Sequence, residues 1–243
     1  MQKINTKYRS SEFEIMDDFN LKGEALKTTL RDLERVNNLL GGNRVTLKGI
    51  EKLINGQKKP LTIADIGCGN GATLRKIALW GRRNNLVLKL LGIDANPHTI
   101  EIAEELSKEF PEISFKAQNI FSESFKENGF DIVSCSLTLH HFKDEEIKFL
   151  LETIKKQTKK GIVINDLHRS KSAYYLFRLF CVFFVNNPVA KKDGLVSILR
   201  GFKKAEIEEL SKQLNLKNPL VKWCWAFRYQ WIIFNTASPK DQS

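Results

Sequence analysis

A glycine-rich turn between a strand and a helix most constrains how this chain folds. Residues 61–81 read "LTIADIGCGNGATLRKIALWG", an apolar run that ends beside Asp65, passes through three glycines and continues with helical spacing. In an open α/β sheet such a turn follows the first strand, and ligands bind outside the carboxyl ends of the strands. The turn therefore predicts both a fold class and the place of a ligand.

The rest of the chain alternates between strand and helix. The strand candidates are "LTIADI", "LVLKLLGID", "EISFKA", "FDIVSCS" and "GIVIND", and segments with helical apolar spacing separate them. This alternation predicts a parallel sheet covered by helices on both faces. The later segment "VKWCWAFRYQWIIF" predicts two further strands or a hairpin. Before the first strand, Leu26, Leu30, Leu33 and Leu40 share one face of a predicted helix.

Composition excludes several other classes of protein. A chain of 243 residues with 42% hydrophobic residues is ordinary for a globular protein, and it contains no apolar run of about 18 residues and no apolar signal segment. The four cysteines lie far apart, which argues against a zinc site or a disulfide framework and predicts a cytoplasmic protein without a metal. The net charge of +11 favours a solvated basic surface but leaves an anionic partner open.

Two classes of ligand compete for the glycine turn. Dinucleotide sites use G-x-G-x-x-G to place backbone amides against a pyrophosphate. Here the spacing is G-x-G-x-G, and the Asp65 carboxylate would repel a phosphate. S-adenosylmethionine has no phosphate and carries an ammonium and a sulfonium, which a carboxylate attracts. We therefore expect this cofactor, with S-adenosylhomocysteine as its product, and not a nicotinamide.

Three segments carry a resemblance to a known family. "ADIGCGNG", "LLGIDANP" and "FDIVSCSLTLHHF" resemble the successive motifs of class I S-adenosylmethionine-dependent methyltransferases, in the small-molecule branch similar to ubiquinone and menaquinone biosynthesis methyltransferases. The N-terminal segment and "INDLHRS" resemble bacterial methyltransferases of polyketide or aryl-pigment pathways, a kind of secondary metabolism. The resemblance implies an α/β, Rossmann-like, doubly wound sheet of seven strands with the last strand antiparallel.

The same resemblance suggests a division of the chain. We expect an N-terminal helical cap over residues 1–59 and an S-adenosylmethionine-binding methyltransferase domain over residues 60–235. A helical lid over residues 170–202 is inserted after the fifth strand, and residues 236–243 form a flexible tail.

The cofactor contacts are carried over position by position. The implied contacts surround the methionine, the ribose and the adenine and line the passage to the substrate. In chain order they are Asp65, Gly67, Cys68, Gly69, Gly71, Asp94, Ala95, Asn119, Ile120 and Ser136. The family usually has an acid where Asn119 stands, so its amide oxygen would accept from the adenine amine without charge. An alternative is that the glycines only permit a tight turn and that Asp94 caps a helix.

Two histidines are candidates for catalysis. Methyl transfer from a sulfonium is an in-line displacement that depends on positioning, and a general base is needed only when the acceptor must lose a proton. His168 in "INDLHRS" is the first candidate, with Asp166 either orienting it or capping a turn. His140 in "SLTLHHF" is the second candidate. Arg169 would hold an anionic group of the substrate.

An aromatic segment after the fifth strand suggests the nature of the acceptor. "SAYYLFRLFCVFFV" holds Tyr174 and Tyr175, which with Phe19 would line a pocket for an apolar or aromatic small molecule. Core packing, or shallow insertion into a membrane surface helped by the positive charge, are alternatives for this segment.

We therefore predict methyl transfer to a small apolar or aromatic metabolite, preferably O-methylation of a hydroxyl or carboxyl group, with C-methylation left open. An RNA methyltransferase would explain the charge of +11, but the chain has no N-P-P-Y-like motif and no P-C motif, so we expect no DNA partner and disfavour RNA. A non-catalytic module that binds S-adenosylmethionine is the remaining alternative. The oligomeric state does not follow from the sequence.

Overall fold

The structure of the chain is a computed structural model, and it describes residues 4–122, 125 and 129–235. The predicted flexible tail at residues 236–243 lies outside the described residues.

A single seven-stranded sheet organises the chain. Its strands are β1 Leu61–Ile66, β2 Leu88–Asp94, β3 Ile113–Ala117, β4 Phe130–Ser136, β5 Thr158–Leu167, β6 Leu220–Cys224 and β7 Arg228–Phe234. Their order is β3-β2-β1-β4-β5-β7-β6. Neighbours among β1 to β5 are parallel, and β7 runs antiparallel to both β5 and β6. The predicted α/β sheet with an antiparallel last strand is confirmed, and the strand order reverses between β1 and β4, where such sheets bind ligands.

Helices cover both faces of the sheet. They are α1 Gly23–Leu39, α2 Gly42–Ile54, α3 Ala72–Arg83, α4 Pro97–Leu106, α5 Asp144–Gln157, α6 Lys171–Phe184, α7 Pro188–Arg200 and α8 Lys204–Gln213. α4 and α7 begin with the same kind of N-terminal cap. Asn96 and Asn187 accept hydrogen bonds from first-turn amides, and a proline follows each of them at the first helical position.

The N-terminal helices share the core of the sheet. Ile50 and Ile54 of α2 lie in the same hydrophobic cluster as Ile63 of β1 and Leu74 of α3. α2 approaches β5 so closely that a β-carbon on Gly49 would lie 2.5 Å from Val163 Cγ1. The division predicted at residue 59 therefore does not separate two cores, because residues on both sides of it bury each other.

Residues 4–18, which we call the N-terminal strap, run across α7 before α1 begins. The amide of Ser10 donates to the carbonyl of Leu199 (3.0 Å). The amides of Ile15 and Met16 donate to the buried carboxylate of Asp193 (2.9 and 3.0 Å). A short 3-10 helix, Ile15–Asp17, then turns the chain towards the sheet. These bonds fix the strap although its sequence has no strong helical pattern.

The contact between α2 and β5 is testable through Gly49. We expect Gly49→Val to lower the free energy of unfolding by about 2 kcal/mol, because the added methyl groups would overlap Val163 in a packed interface. Urea unfolding measures the change. Gly129→Val is the matched control, since a β-carbon there meets no atom within 4 Å. Equal effects of the two substitutions would contradict the close packing.

Candidate cofactor and acceptor site

The glycine turn between β1 and α3 is built for close approach of the backbone. Gly67, Gly69 and Gly71 have φ values of +67°, +53° and +76°, which favour glycine. Space excludes side chains as well: a β-carbon on Gly67 would lie 2.5 Å from Thr138 Oγ1, and one on Gly71 would lie 2.7 Å from Phe115 Cζ. The turn therefore presents bare backbone at the carboxyl end of β1.

Asp94 ends β2 and holds the turn in place. Its carboxylate accepts from the amide of Gly69 (3.0 Å) and from the amide of Asn96 (3.1 Å). Burial raises the pKa of this carboxyl, although the backbone amides lower it in part. The side chain thus lies where the sequence predicts a ribose contact.

Asp65 is a buried carboxyl beside this turn. The hydroxyl of Ser134 donates to it (2.6 Å). Burial raises the pKa of Asp65 to about 7, the nearby charge of Asp94 adds to the rise, and the bond from Ser134 only partly opposes it. Two neighbouring carboxyls with raised pKa values favour the binding of a cation, which stabilises their ionised forms. The ammonium and sulfonium of S-adenosylmethionine carry such charge, so the two carboxyls fit the expected cofactor.

α1 covers the turn from outside, which the sequence analysis missed. Glu34 of α1 accepts from the side-chain amide of Asn70 (2.7 Å) and pairs with Arg75 (3.2 Å). Leu30 of the same helix lies over Gly69, 3.8 Å from the position of a β-carbon there. Because these partners are far apart in sequence, helical periodicity alone gives no sign of them.

The other predicted cofactor residues line the same edge of the sheet. Cys68 and Ile120 are buried, and burial raises the pKa of the Cys68 thiol well above its usual range. Ala95 is half-buried directly after β2. The amide oxygen of Asn119 accepts from the amide of Phe121 (2.9 Å), and Ser136 Oγ lies 2.7 Å from Thr46 Oγ1. Their contacts with a cofactor stay predictions.

His140 forms a buried ionic triad with two carboxylates. Its Nδ1 donates to Asp166 Oδ1 (2.7 Å), and its backbone amide donates to the other oxygen of that carboxylate (3.2 Å). Its Nε2 lies 3.5 Å from Glu14 Oε1 of the strap. Burial lowers the pKa of His140, but Asp166 and Glu14 outweigh it and raise the value to about 9. His140 is therefore an imidazolium between two carboxylates at neutral pH.

His141 and Arg200 extend this charged cluster. His141 Nδ1 donates to Asp17 (2.6 Å), and Arg200 donates to the same carboxylate (2.6 Å) and to the carbonyl of His141 (2.7 Å). Glu14, His140 and His141 place ligand atoms within 4.8 Å of one another. Arg200 lies 3.6 Å from Glu14, so positive charge is already present there. Neither Glu14 nor Arg200 was predicted from the sequence.

His168, the first catalytic candidate from the sequence, directly follows β5 and lies beside Trp223 of β6. Trp223 of β6 donates to its Nδ1 (3.3 Å), and its ring contacts Tyr229 edge-on at 5.1 Å. Burial, Arg169 and Lys203 lower its pKa. The carboxylate of Asp166, for which the sequence left open the orientation of His168 or the capping of a turn, pairs with His140.

The predicted substrate contact of Arg169 needs correction. Its side chain is buried, and its guanidinium donates to the carbonyls of Thr6, Lys7 and Gly201 and to the carboxylate of Glu206. A guanidinium with these partners has no free edge for an anionic acceptor. Arg169 anchors the strap to the end of β5.

Residues 170–202, for which the sequence predicts a lid, contain α6 and α7. Tyr174 is half-buried and meets the ring of Tyr175 edge-on at 5.6 Å. Tyr175 and Phe19 are exposed. Their contact with an acceptor stays a prediction.

Comparison with known proteins decides the family. The family model described as "Methyltransferase domain" matches residues 57–232. The chain belongs to this family. The match begins just before β1 and ends within β7, so it contains the glycine turn, Asp94 and the histidine pair. The predicted class and cofactor, a class I S-adenosylmethionine-dependent methyltransferase, are confirmed at the level of the family.

Individual relatives are distant. The chain is 26% identical to ajmaline N-methyltransferase of Rauvolfia serpentina over 121 residues, which is 48% of this chain and 40% of that protein. An O-methyltransferase family protein from Burkholderia thailandensis superposes with a TM-score of 0.65 at 15% identity, covering 91% of this chain and 63% of that one. The plantazolicin methyltransferase BpumL, solved with S-adenosylhomocysteine, gives 0.62 at 18% identity, covering 87% and 95%. These structures share the fold of this chain.

The raised pKa of Asp65 predicts how cofactor binding depends on pH. A cation binds the carboxylate and not the carboxylic acid, so affinity rises with pH up to the pKa of about 7 and then levels off. Between about pH 5 and pH 7 we expect the Kd for S-adenosylmethionine to fall roughly tenfold per pH unit. Calorimetric titration measures it. Asp65→Asn should bind more weakly with a flat profile, and an equal slope in wild type and variant would contradict the assignment.

Proposed function

We propose that this chain transfers the methyl group of S-adenosylmethionine to the hydroxyl or carboxyl group of a small, apolar or aromatic metabolite. The observation that carries the proposal is a pair of carboxyls, buried Asp65 and half-buried Asp94, beside a bare glycine turn. Such a cleft attracts a cation and repels a phosphate. The four free cysteines suit a reducing cytoplasm.

On the donor side, the residues bind and orient. Asp94 would hold the ribose hydroxyls, and Asp65 would ionise when the cationic methionine end enters. The glycine turn would lie along the methionine backbone, because it has no side chains to keep the ligand away. When bound, S-adenosylmethionine supplies an electrophilic methyl group, so the protein's task is positioning and exclusion of water.

On the acceptor side, we assign the acid–base role to His140 with Asp166. The centroids of the two histidine rings lie 4.2 Å apart at an interplanar angle of 33°, and His141 lowers the pKa of Asp94, which supports a position of the pair near the donor cleft. An acceptor hydroxyl would take the place of Glu14 at His140 Nε2. As the Glu14 carboxylate leaves, it would carry away the Nε2 proton, so the ring becomes a neutral imidazole that keeps only Asp166. Its free Nε2 then accepts the hydroxyl proton while Asp166 stabilises the imidazolium that forms.

The relatives support a small acceptor and extend the range of chemical groups on it that could receive the methyl group. The similar Burkholderia thailandensis structure is that of an O-methyltransferase family protein, and the Rauvolfia serpentina relative is an N-methyltransferase. An acceptor screen should therefore include phenols, carboxylic acids and secondary amines of similar size. Mass spectrometry with trideuteromethyl-labelled donor detects each product.

Cofactor binding is tested by calorimetric titration with S-adenosylmethionine, S-adenosylhomocysteine and NADH. We expect micromolar binding of the first two and none of NADH. Asp94→Ala should weaken binding at least tenfold, because it removes the ribose contact and the anchor of Gly69. Asp32→Ala, on the surface of α1, is the control and should bind as the wild type does. Binding of NADH instead would overturn the proposal.

The two histidine candidates are separated by kinetics. We expect His140→Gln to lower kcat about a hundredfold with a hydroxyl acceptor, because it removes the proton acceptor. The Kd for S-adenosylmethionine should change less than threefold. His168→Gln is the matched control and should keep kcat within threefold, since its ring lies beside Trp223. If His168→Gln lowers kcat about a hundredfold and His140→Gln does not, the general base is His168 and not His140.

We also propose that the reaction needs no metal. Arg200 lies 3.6 Å from Glu14 and supplies positive charge where a cation would otherwise bind the Glu14, His140 and His141 set. Incubation with a chelator should leave turnover unchanged. Loss of turnover that zinc or magnesium restores would contradict this.

A further inference from the structure

The outward face of α6 is apolar, which is unusual for a helix on the surface of a protein. Its inward face packs Phe177, Phe180 and Cys181 against Leu33 and Val36 of α1. At about 100° per residue, the opposite face is centred on Leu179. The exposed residues of this face are Tyr175, Leu176, Leu179, Val182 and Phe183, and Phe183 is 71% exposed. An amphipathic surface helix would place polar residues there.

The charges around this face have one sign. Residues 171–192 contain Lys171, Arg178, Lys191 and Lys192 and no acidic residue. Helical geometry places Lys171 and Arg178 together along one border of the apolar face. The chain as a whole carries +11. The face therefore combines large apolar side chains with a basic border.

We propose that this face docks on the surface of an anionic lipid bilayer, with α6 lying in the plane of the interface. Helices that bind this way bury Phe and Leu side chains at the boundary between headgroups and acyl chains, while Lys and Arg meet anionic headgroups. α6 has 14 residues and is about 21 Å long. Among the described residues, no helix is long and apolar enough to cross a membrane, so contact is at the surface.

Charge argues for a bilayer over a second copy of the chain. A symmetric contact between two copies would bring Arg178 and Lys171 towards their own counterparts, and like charges repel. An anionic surface instead neutralises them. α6 follows directly after the carboxyl end of β5, so docking would bring the site edge of the sheet towards the lipid. The proposed docking does not depend on which molecule accepts the methyl group.

Co-sedimentation with vesicles tests the docking. The full chain is mixed with vesicles of phosphatidylcholine and phosphatidylglycerol (3:1) or of phosphatidylcholine alone. We expect binding to the anionic vesicles that weakens with added salt. Phe183→Glu should lower the partition coefficient at least tenfold. Val87→Glu is the matched control, because Val87 is 65% exposed and lies before β2, at the opposite edge of the sheet. It should stay within twofold of wild type.

Each other outcome overturns the proposal. Equal losses in Phe183→Glu and Val87→Glu would show that only the overall charge attracts the vesicles. No binding by wild type would remove the bilayer as the partner. A dimer in sedimentation velocity that Phe183→Glu dissociates, without vesicle binding, would assign the face to a second copy. An unchanged Kd for S-adenosylmethionine in both variants verifies that each is folded.

Discussion

The burial of negative charge at the carboxyl edge of the sheet governs the rest of this structure. Parallel strands end together there, and Asp65, Asp94 and Asp166 lie on three of them. Each carboxylate is compensated differently. Backbone amides hold Asp94, and a buried imidazolium holds Asp166. In the described part of the chain, Asp65 accepts a hydrogen bond from the hydroxyl of Ser134 and has a raised pKa. A buried carboxylate is costly without a partner, and for this reason we propose that the cationic cofactor binds beside Asp65.

The N-terminal strap is part of this charge balance. It adds the carboxylates of Glu14 and Asp17 beside the histidine pair, and Arg200 of α7 forms ion pairs with both carboxylates. Removing one partner of a buried ion pair leaves the other uncompensated, so such clusters hold their segments firmly. The charged cluster that we propose for the acceptor side is therefore assembled from three distant parts of the chain. The glycine turn and Asp94, which we propose for the donor side, come from β1, β2 and the turn between β1 and α3.

This difference explains what the sequence could predict. The glycine turn and Asp94 depend on local order, strand then turn then helix, which a sequence displays directly. The partner of Asp166 depends on which neighbouring side chain reaches it across the sheet edge, and the pattern "INDLHRS" suggested His168 because it is near in sequence. Arg169 was predicted to bind an anionic group of the substrate because no partner for its guanidinium is visible among its neighbours in sequence. Its carbonyl partners in the strap are more than 160 residues away, and backbone carbonyls leave no sign in a sequence.

α6 shows a further limit of what the sequence could predict. Apart from Lys171, Ser172 and Arg178 its residues are apolar or aromatic, so the spacing of the apolar residues alone does not identify the side that faces the protein. The sequence left a pocket wall and core packing open for the aromatic residues, and the structure packs Phe177 and Phe180 inward and leaves Phe183 outward.

The contact between Gly67 and Thr138 joins the two halves of the site. Thr138 donates to the carbonyls of Ile66 and Ser136, and it fills the space beside Gly67 where a side chain would be. It also lies two residues before His140. A shift of the histidine loop would therefore displace the turn that receives the methyl donor. Such a displacement would couple the binding of the donor to that of the acceptor, and linkage then requires each ligand to change the affinity of the other by the same factor.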